Sequence, residues 1–528
     1  MKDRKRFHVF VAILAFAVNG RAYANFANSF GFSAEGIARG NAMTATVSDW
    51  SSVYYNMAGL GRTRGLTGET AATETGGEMT LKLRKTETQA EGGESRIYAN
   101  QIAINVLATI PQLKLNIPQR LSKKSYYDSG TATWREIPYP LETGGAKMKP
   151  YGFLMIGGAL DLNTLFKMPS FISSARIGLG LGTNWDGKLV RVNDIDPRTH
   201  NFLRFGREIQ TSVIYVGAGI GFLKDAFGVG GGVNISFIGQ ASAYMDTLLT
   251  GDPQIPITEA TMDLALKPTA LAGIYFSPGK LWSPLEGLDI GASYRQETKL
   301  KINPFNAVAS LLNGAISMNL LLEISDYYTP HTVNSGIAYA RWGVTLSLDV
   351  GWEMWSKNYI SKVLQNHYLN LPKFNDILVY RAGVKYDIPN IPNKAVDIAI
   401  MAGYSFVPSI IAKDAGTAVG IRLGLYNQIA PGMYNYLDND KHIGSAGIKI
   451  TVPQMWRLGG QIVISLGYQY QYLVPKSVKK TGIIQYFSLP GQPAPPASPS
   501  LLEAYLLNPS YSYGGMNHGA VIEVGMRI

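Results

Sequence analysis

From Trp342 to Ser356 the chain keeps a period of two. Trp342, Val344, Leu346, Leu348, Val350, Trp352 and Met354 are apolar, whereas Gly343, Thr345, Ser347, Asp349, Gly351, Glu353 and Trp355 are mostly small, polar or charged. A β-strand sends successive side chains to opposite faces, so this segment has one oily face and one wet face. The oily face is long enough to cross bilayer hydrocarbon as a tilted strand, and tryptophans stand near both of its ends. Strands of soluble sandwiches alternate too, but they are usually shorter and rarely carry aromatics at both rims. The constraint therefore lies in repetition.

Fourteen candidate strands repeat the pattern, near residues 65–75, 149–162, 175–187, 208–223, 227–243, 261–276, 287–302, 330–340, 342–356, 375–388, 395–408, 440–452, 458–473 and 516–528. In one of them Leu458, Ile462, Ile464, Leu466, Tyr468 and Tyr470 alternate with Gln461, Ser465, Gly467, Gln469 and Gln471. Short gaps fall at Leu223–Ala226, at Arg341 and at about Pro453–Arg457, and long ones near 76–148, 188–207, 244–260, 303–329, 357–374, 409–439 and 474–515. Short turns at one end and long loops at the other are the pattern of outer-membrane barrels, as is an even strand number. Two stretches stand outside the scheme. Residues 97–119 are apolar and read as an extra hairpin, a loop strand or a membrane-resting flap, and the Pro-rich 488–500 reads as an extended loop.

Composition agrees. Hydrophobic residues make up 46% and charged ones only 16%, against roughly 25% charged in soluble proteins. Cysteine is absent, which excludes a disulfide framework and thiolate chemistry. Lys2, Arg4, Lys5 and Arg6, the apolar run Val9–Val18 and Ala22-Tyr23-Ala24 form a secretory signal over residues 1–24. Its removal takes five basic residues and one acidic one from a net charge of +11, leaving +7 from Asn25 onward. Beyond it, the best candidate for a membrane helix, Phe305–Ile324, is broken by Asn306, Asn313, Gly314, Ser317 and Asn319. Export, an apolar composition and no spanning helix together point to the Gram-negative outer membrane.

Residues 25–62 differ from the rest, being rich in Ala, Ser, Asn and Gly without a period of two. Ser48 or Asp49 is placed to cap a short helical turn there. A fourteen-stranded barrel is too wide for its own side chains to fill. The wet faces carry Asp289, Arg295, Glu297, Asp349, Glu353, Arg381, Lys385, Glu523 and Arg527, and the 25–62 segment carries Glu35, Arg39, Asp49 and Arg62. The expected architecture is an all-β, membrane-spanning antiparallel barrel over 63–528, closed inside by a small plug over 25–62.

Residues 36–60 carry a resemblance. Gly36, Ala38-Arg39-Gly40-Asn41-Ala42, Asp49 and Ser52-Val53-Tyr54-Tyr55-Asn56-Met57-Ala58-Gly59-Leu60 resemble the outer-membrane hydrophobic-compound and long-chain fatty-acid transporters of the FadL/TodX type. Asn56-Met57-Ala58 departs from the family's Asn-Pro-Ala. Gly291-Ala292-Ser293-Tyr294-Arg295 and Asp349-Val350-Gly351-Trp352 resemble family strand signatures. The resemblance implies a hatch with Gly36, Arg39, Gly40, Asn41, Asn56, Met57 and Ala58 as its motif. It also implies capture of an apolar ligand by the third and fourth extracellular loops, passage to a pocket beside the hatch, and sideways release at a kinked third strand. Substrate contacts are accordingly expected at Phe26, Phe30, Phe32, Leu248, Leu249, Phe305, Val308, Leu311 and Leu312. The exit is expected at Gly178, Gly180, Gly182 and Gly187, since strand glycines often mark bends.

Catalytic signatures are missing: there is no G-x-S-x-G, H-E-x-x-H or P-loop, and the six histidines are scattered. Asp438, Asp440 and His442 resemble a metal cluster but read better as a loop-to-strand transition. No enzyme, cofactor, metal or nucleic acid is expected. The expected partners of this monomer are a hydrophobic small molecule, outer-membrane lipid and lipopolysaccharide, and the assembly machinery. The alternative is a non-transporting adhesin whose long loops, 76–148 and 474–515, bind a partner.

Overall fold

A computed structural model describes residues 26–63, 70–75, 78–83, 100–117, 123–128, 133–138, 150–166, 168–184, 200–202, 204, 213–246, 258–301, 305–311, 316–322, 325–357, 374–388, 396–411, 419–423, 426–430, 436–452, 460–479 and 510–528. Fourteen antiparallel strands close into a barrel. They are β1 (Gln101–Asn116), β2 (Tyr151–Asp161), β3 (Ile172–Asn184), β4 (Val213–Phe222), β5 (Phe227–Asp246), β6 (Thr258–Phe276) and β7 (Leu288–Arg295), then β8 (Thr332–Arg341), β9 (Val344–Glu353), β10 (Ile377–Asp387), β11 (Asp397–Val407), β12 (Lys441–Val452), β13 (Gln461–Val478) and β14 (Tyr511–Arg527). Closure is made by β14 on β1, from Ser512↔Asn116 to Arg527↔Gln101. Every strand has a partner on each side, so the described sheet closes without an open edge strand.

The alternation works as the chain spells it. On β9, Leu346, Leu348, Val350 and Trp352 face outward, with Leu348 60% exposed, whereas Ser347 and Asp349 face the lumen at 2%. The β8–β9 turn differs from expectation by two residues. Trp342 and Gly343 both take positive φ, 52° and 77°, and form the two-residue turn themselves. The Trp342 ring is held under the Arg341 guanidinium, 4.4 Å from its centroid.

The first strand is a correction. Thr70–Thr75 pairs only with Glu78–Leu83, in a separate hairpin, and its expected place in the barrel is taken by Gln101–Asn116. Alternation was hard to see there because β1 is apolar on both faces. Ile102, Ile104 and Val106 point outward, while Ala103, Leu107 and Leu113 point into the lumen and join its core. The first outer loop is therefore 117–150, far shorter than 76–148.

Within the barrel, residues 26–63 make three short helices, α1 (Phe26–Ser29), α2 (Ala34–Ala38) and α3 (Ser52–Tyr55), and a 3₁₀ turn, Met57–Gly61. Ser33 caps α2 by accepting from the Gly36 amide, and Asn56 caps the 3₁₀ turn by accepting from the Ala58 amide. Neither Ser48 nor Asp49 caps α3: its N-cap residue is Ser51, whose side chain makes no cap bond, and Asp49 accepts from the Ser51 amide at 2.9 Å ahead of the helix.

Placing a cation on the oily face tests this arrangement. Leu348→Arg, at the middle of β9, is expected to lower the unfolding free energy in lipid vesicles by about 2–4 kcal/mol. Denaturant titration of the folded barrel measures it, and a change near zero would mean this face does not meet hydrocarbon.

Candidate functional site

The hatch is gripped unequally along its length. Its C-terminal half meets charged side chains. Arg176 of β3, wholly buried, donates through Nε to the Leu60 carbonyl (2.6 Å) and through Nη2 to those of Ser48 (2.8 Å), Gly59 (3.1 Å) and Arg62 (2.7 Å). Arg62 pairs with Asp289 at 3.5 Å and lies over the Tyr275 ring. Asp225 accepts from the Thr63 amide and hydroxyl. It sits in a β4–β5 turn whose Leu223, Lys224 and Asp225 all have positive φ, a conformation costing about 1–2 kcal/mol per residue. Asn56 reaches across to the Ile274 carbonyl at 3.0 Å.

The N-terminal half is held by neutral and charged wall groups together, Arg295 among them, which donates to Asn28 Oδ1 at 2.6 Å. Gln471, Gln469, Ser445 and Ser405 donate to the carbonyls of Ser29, Phe30, Ala38 and Gly40. Asp349 accepts from the Thr44 amide at 2.8 Å, and Glu523 from the Ala34 amide at 2.9 Å and Trp50 Nε1 at 3.3 Å. One ionic latch crosses to the wall. Glu35 accepts from Arg39 at 3.1 Å and from Lys449 at 2.8 Å. Burial alone would raise the Glu35 pKa, but Lys449, Lys385 and Arg39 outweigh it and hold the carboxyl well below its usual range.

The family-like motif is the internal frame of this hatch. Tyr55 donates to Asn41 Oδ1 at 2.7 Å and accepts from the Phe32 amide at 3.1 Å, and burial pushes its phenol pKa up. Gly36 is required because a Cβ there would lie 2.0 Å from the Tyr55 hydroxyl. Gly40, at φ 61°, passes so close to the Tyr404 backbone that a side chain has no room. Arg39 donates to Ser347 at 2.6 Å. Met57 stands at the first position of the 3₁₀ turn, where proline is favoured. Its side chain fills the space that Gly217 and Gly232 leave in the wall, and Ala58 packs buried beside it.

Above the hatch the lumen turns from polar to aromatic. Phe26 stacks on Phe153 with centroids 4.2 Å apart, and Phe32 meets Trp50 at 5.4 Å and Tyr215 at 5.3 Å. Phe30 meets Tyr151 edge-on. The column continues outward through Phe202, Leu437, Tyr511 and Tyr513. A lid crosses its top, where Asn201–Phe202 of the second outer loop pairs with Tyr436–Leu437 of the sixth. Arg204 holds the lid by a two-pronged pair with Asp438, both bonds 2.7 Å. Asp438 is thus an arginine partner and not a metal ligand. Sequence reading missed this lid, because nothing near Arg204 indicates a mate 234 residues away.

The other expected residues divide. Leu248, Leu249, Leu312 and Gly187 lie outside the described residues. Phe305–Leu311, which includes Val308, forms a strand that pairs with Ile316–Leu322 and runs parallel to the upper end of β5, Ala243↔Ala307 to Asp246↔Ser310. Gly178, Gly180 and Gly182 face the hatch: added Cβ atoms would strike Val53, Phe32 and Phe26 respectively. The β3 ladder to β2 is continuous over Arg176–Asn184 and that to β4 over Ser174–Gly182, with the register shift between Ile172 and Ser174. Beneath the hatch, a cavity of ≈ 20 Å³ is lined by Glu35, Asp49, Lys449, Ser465, Glu523 and Arg527 among others. It is about the size of one water, too small to hold a fatty acid or hydrocarbon.

Barrel, internal plug and apolar column define a hatch-closed barrel of the outer-membrane type. Among solved structures the chain is similar to a FadL homologue of Pseudomonas aeruginosa, at 11% identity over 94% of this chain and 97% of that one, with a TM-score of 0.49. It is also similar to the toluene transporter TodX of Pseudomonas putida, at 12% identity over 94% and 99%, with a TM-score of 0.43. Alkane uptake protein A of Marinobacter nauticus is 21% identical over 340 residues, 61% of this chain and 68% of that protein. No family model matches the chain. Both solved structures are of the FadL/TodX type that residues 36–60 resemble.

The latch carries a pH prediction. Because the folded-state pKa of Glu35 is depressed, its contribution is complete above the ordinary value of 4.5 and fades as the pH falls below it. Channel openings in planar bilayers should be rare and constant from about pH 6 to 8 and rise in acid. Glu35→Gln should open at every pH, and a variant behaving like the wild type would remove Glu35 from the latch.

Proposed function

We propose that the protein is an outer-membrane channel for passive uptake of hydrophobic molecules such as long-chain fatty acids or hydrocarbons. The observation that carries this reading is the aromatic column. Inward faces of a water-filled pore are polar, yet here a continuous apolar path runs from the lid to the hatch. Capture falls to the outer loops, and the ligand then enters the column by displacing rings that now pack on one another. Affinity for the displaced arrangement shifts the hatch, with no energy source needed. The hinge is set between the two halves: residues 26–41 exchange their bonds to Gln469, Gln471, Glu523, Arg295 and Lys449, while 56–63 stay anchored on Arg176 and Asp225. Sideways release is assigned beside β3, where withdrawal of Phe26 and Phe32 would leave Gly182 and Gly180 facing an open groove. The ladders there are continuous, so this step requires local parting of the strands. The names of the similar proteins, which include a toluene transporter and an alkane uptake protein, support the apolar class of ligand.

Proteoliposome uptake tests the reading. Deleting residues 25–40 should abolish selectivity, admitting small polar solutes and changing hydrophobic-ligand uptake by about tenfold or more. Unchanged uptake of fatty acid and hydrocarbon, with polar solutes still excluded, would count decisively against it.

A further inference from the structure

Three histidines lie on the outward face or outer rim of the barrel, and each is bonded by a neighbouring strand's tyrosine. Tyr294 Oη meets His331 Nδ1 at 2.9 Å, Tyr404 Oη meets His442 Nδ1 at 2.7 Å, and Tyr468 Oη meets His518 Nδ1 at 2.7 Å. The tyrosines are exposed on the outer wall. With the phenol as the donor to Nδ1, the imidazole proton sits on Nε2 and the ring presents an N–H donor away from its tyrosine. At His331 a carboxylate stands beside that nitrogen, Glu297 Oε1 lying 3.7 Å from Nε2, within ion-pair range but beyond hydrogen-bond length. His442 and His518 have the same tyrosine contact, and among the described residues no carboxylate comes within ion-pair distance of either. Asp440, two residues before His442, is occupied by the Ser409 amide at 2.7 Å and by Lys476 at 3.7 Å.

These two histidines belong to one patch. His442 is the cross-strand partner of Tyr472, and His518 that of Tyr470, so β11 to β14 bring both imidazoles together with Tyr404, Tyr468, Tyr470 and Tyr472. Lys114 of β1 stands on the same outward face, opposite Gly514. The patch lies toward the extracellular ends of its strands, because β11 ends at Val407 and β12 begins at Lys441. Its rings form an outward aromatic cluster of the kind that sits at the boundary of hydrocarbon and water.

We propose that the His442/His518 patch binds the phosphate of an outer-leaflet glycolipid headgroup, which takes the place on Nε2 that Glu297 occupies at His331. The tyrosines fix the tautomer and provide apolar surface for the lipid, and Lys114 adds a positive charge. The site is independent of the lumen and of transport.

Native mass spectrometry of the full mature protein in detergent tests this, using lipid A with its phosphates, dephosphorylated lipid A and inorganic phosphate as probes. The phosphorylated lipid should bind about tenfold tighter than the dephosphorylated one, and millimolar inorganic phosphate should not displace it. The His442→Gln/His518→Gln double variant should lose that tenfold preference, while His331→Gln keeps it. Equal binding of the two lipids by the wild type needs no variant to interpret and overturns the proposal. So does a double variant with undiminished preference, or displacement by inorganic phosphate, which marks an adventitious anion site. Should the double variant fail to fold, as judged by heat-shifted migration on gels, Tyr404→Phe/Tyr468→Phe substitutes for it. That variant retains both imidazoles but frees their tautomers, and it must weaken the preference.

Discussion

Pairing of β14 with β1 is the interaction on which everything else depends. A sheet in hydrocarbon cannot leave an edge, because each unpaired amide or carbonyl there costs several kcal/mol. Closing the last strand on the first removes the edge over the whole of Gln101–Asn116. It also creates a lumen too wide for its lining to fill. The plug, the buried charges and the aromatic column all answer that second problem.

The lumen is filled in two chemistries at two heights. Toward the periplasmic side, charged and amide side chains of the wall meet backbone groups of the hatch, whose short helices leave many such groups without partners. Arg176 shows the economy of this, one guanidinium answering four carbonyls. Higher up, the same wall strands present Leu107, Phe153 and Tyr215, and the hatch answers with Phe26, Phe30 and Phe32. Apolar contact is non-directional, unlike the fixed hydrogen bonds of the Arg176 clamp.

Legibility in the sequence followed the same division. Where a strand separates lipid from a polar lumen, as in β9 and β13, period two was plain. Where the lumen itself is apolar, as behind Leu107 and Leu113 of β1, the contrast vanished and the strand was misplaced by some thirty residues. The hatch was recognisable because Gly36, Asn41 and Tyr55 lock one another within a short stretch. Among the hatch's wall partners, Asp349 and Glu523 were legible as inward charges, but Arg176 was not, and which hatch group each one meets is decided only by closure. The glycines of β3 were read as a bend, yet in the structure they make room for the hatch. The Arg204–Asp438 lid joins two long loops that no local pattern connects.

The central claim is that the N-terminal half of the hatch must leave the wall for a ligand to pass. The chain has no cysteine, and a Cβ built on Gly467 lies 3.7 Å from that of Ala38, a separation suited to a disulfide. Uptake of a hydrophobic ligand into proteoliposomes by the Ala38→Cys/Gly467→Cys variant therefore gives the most direct measurement. The account predicts at least about a tenfold loss when the bridge is oxidised and full recovery on reduction. Equal uptake in both states would show that molecules pass while α2 stays fixed to β13, and would contradict it.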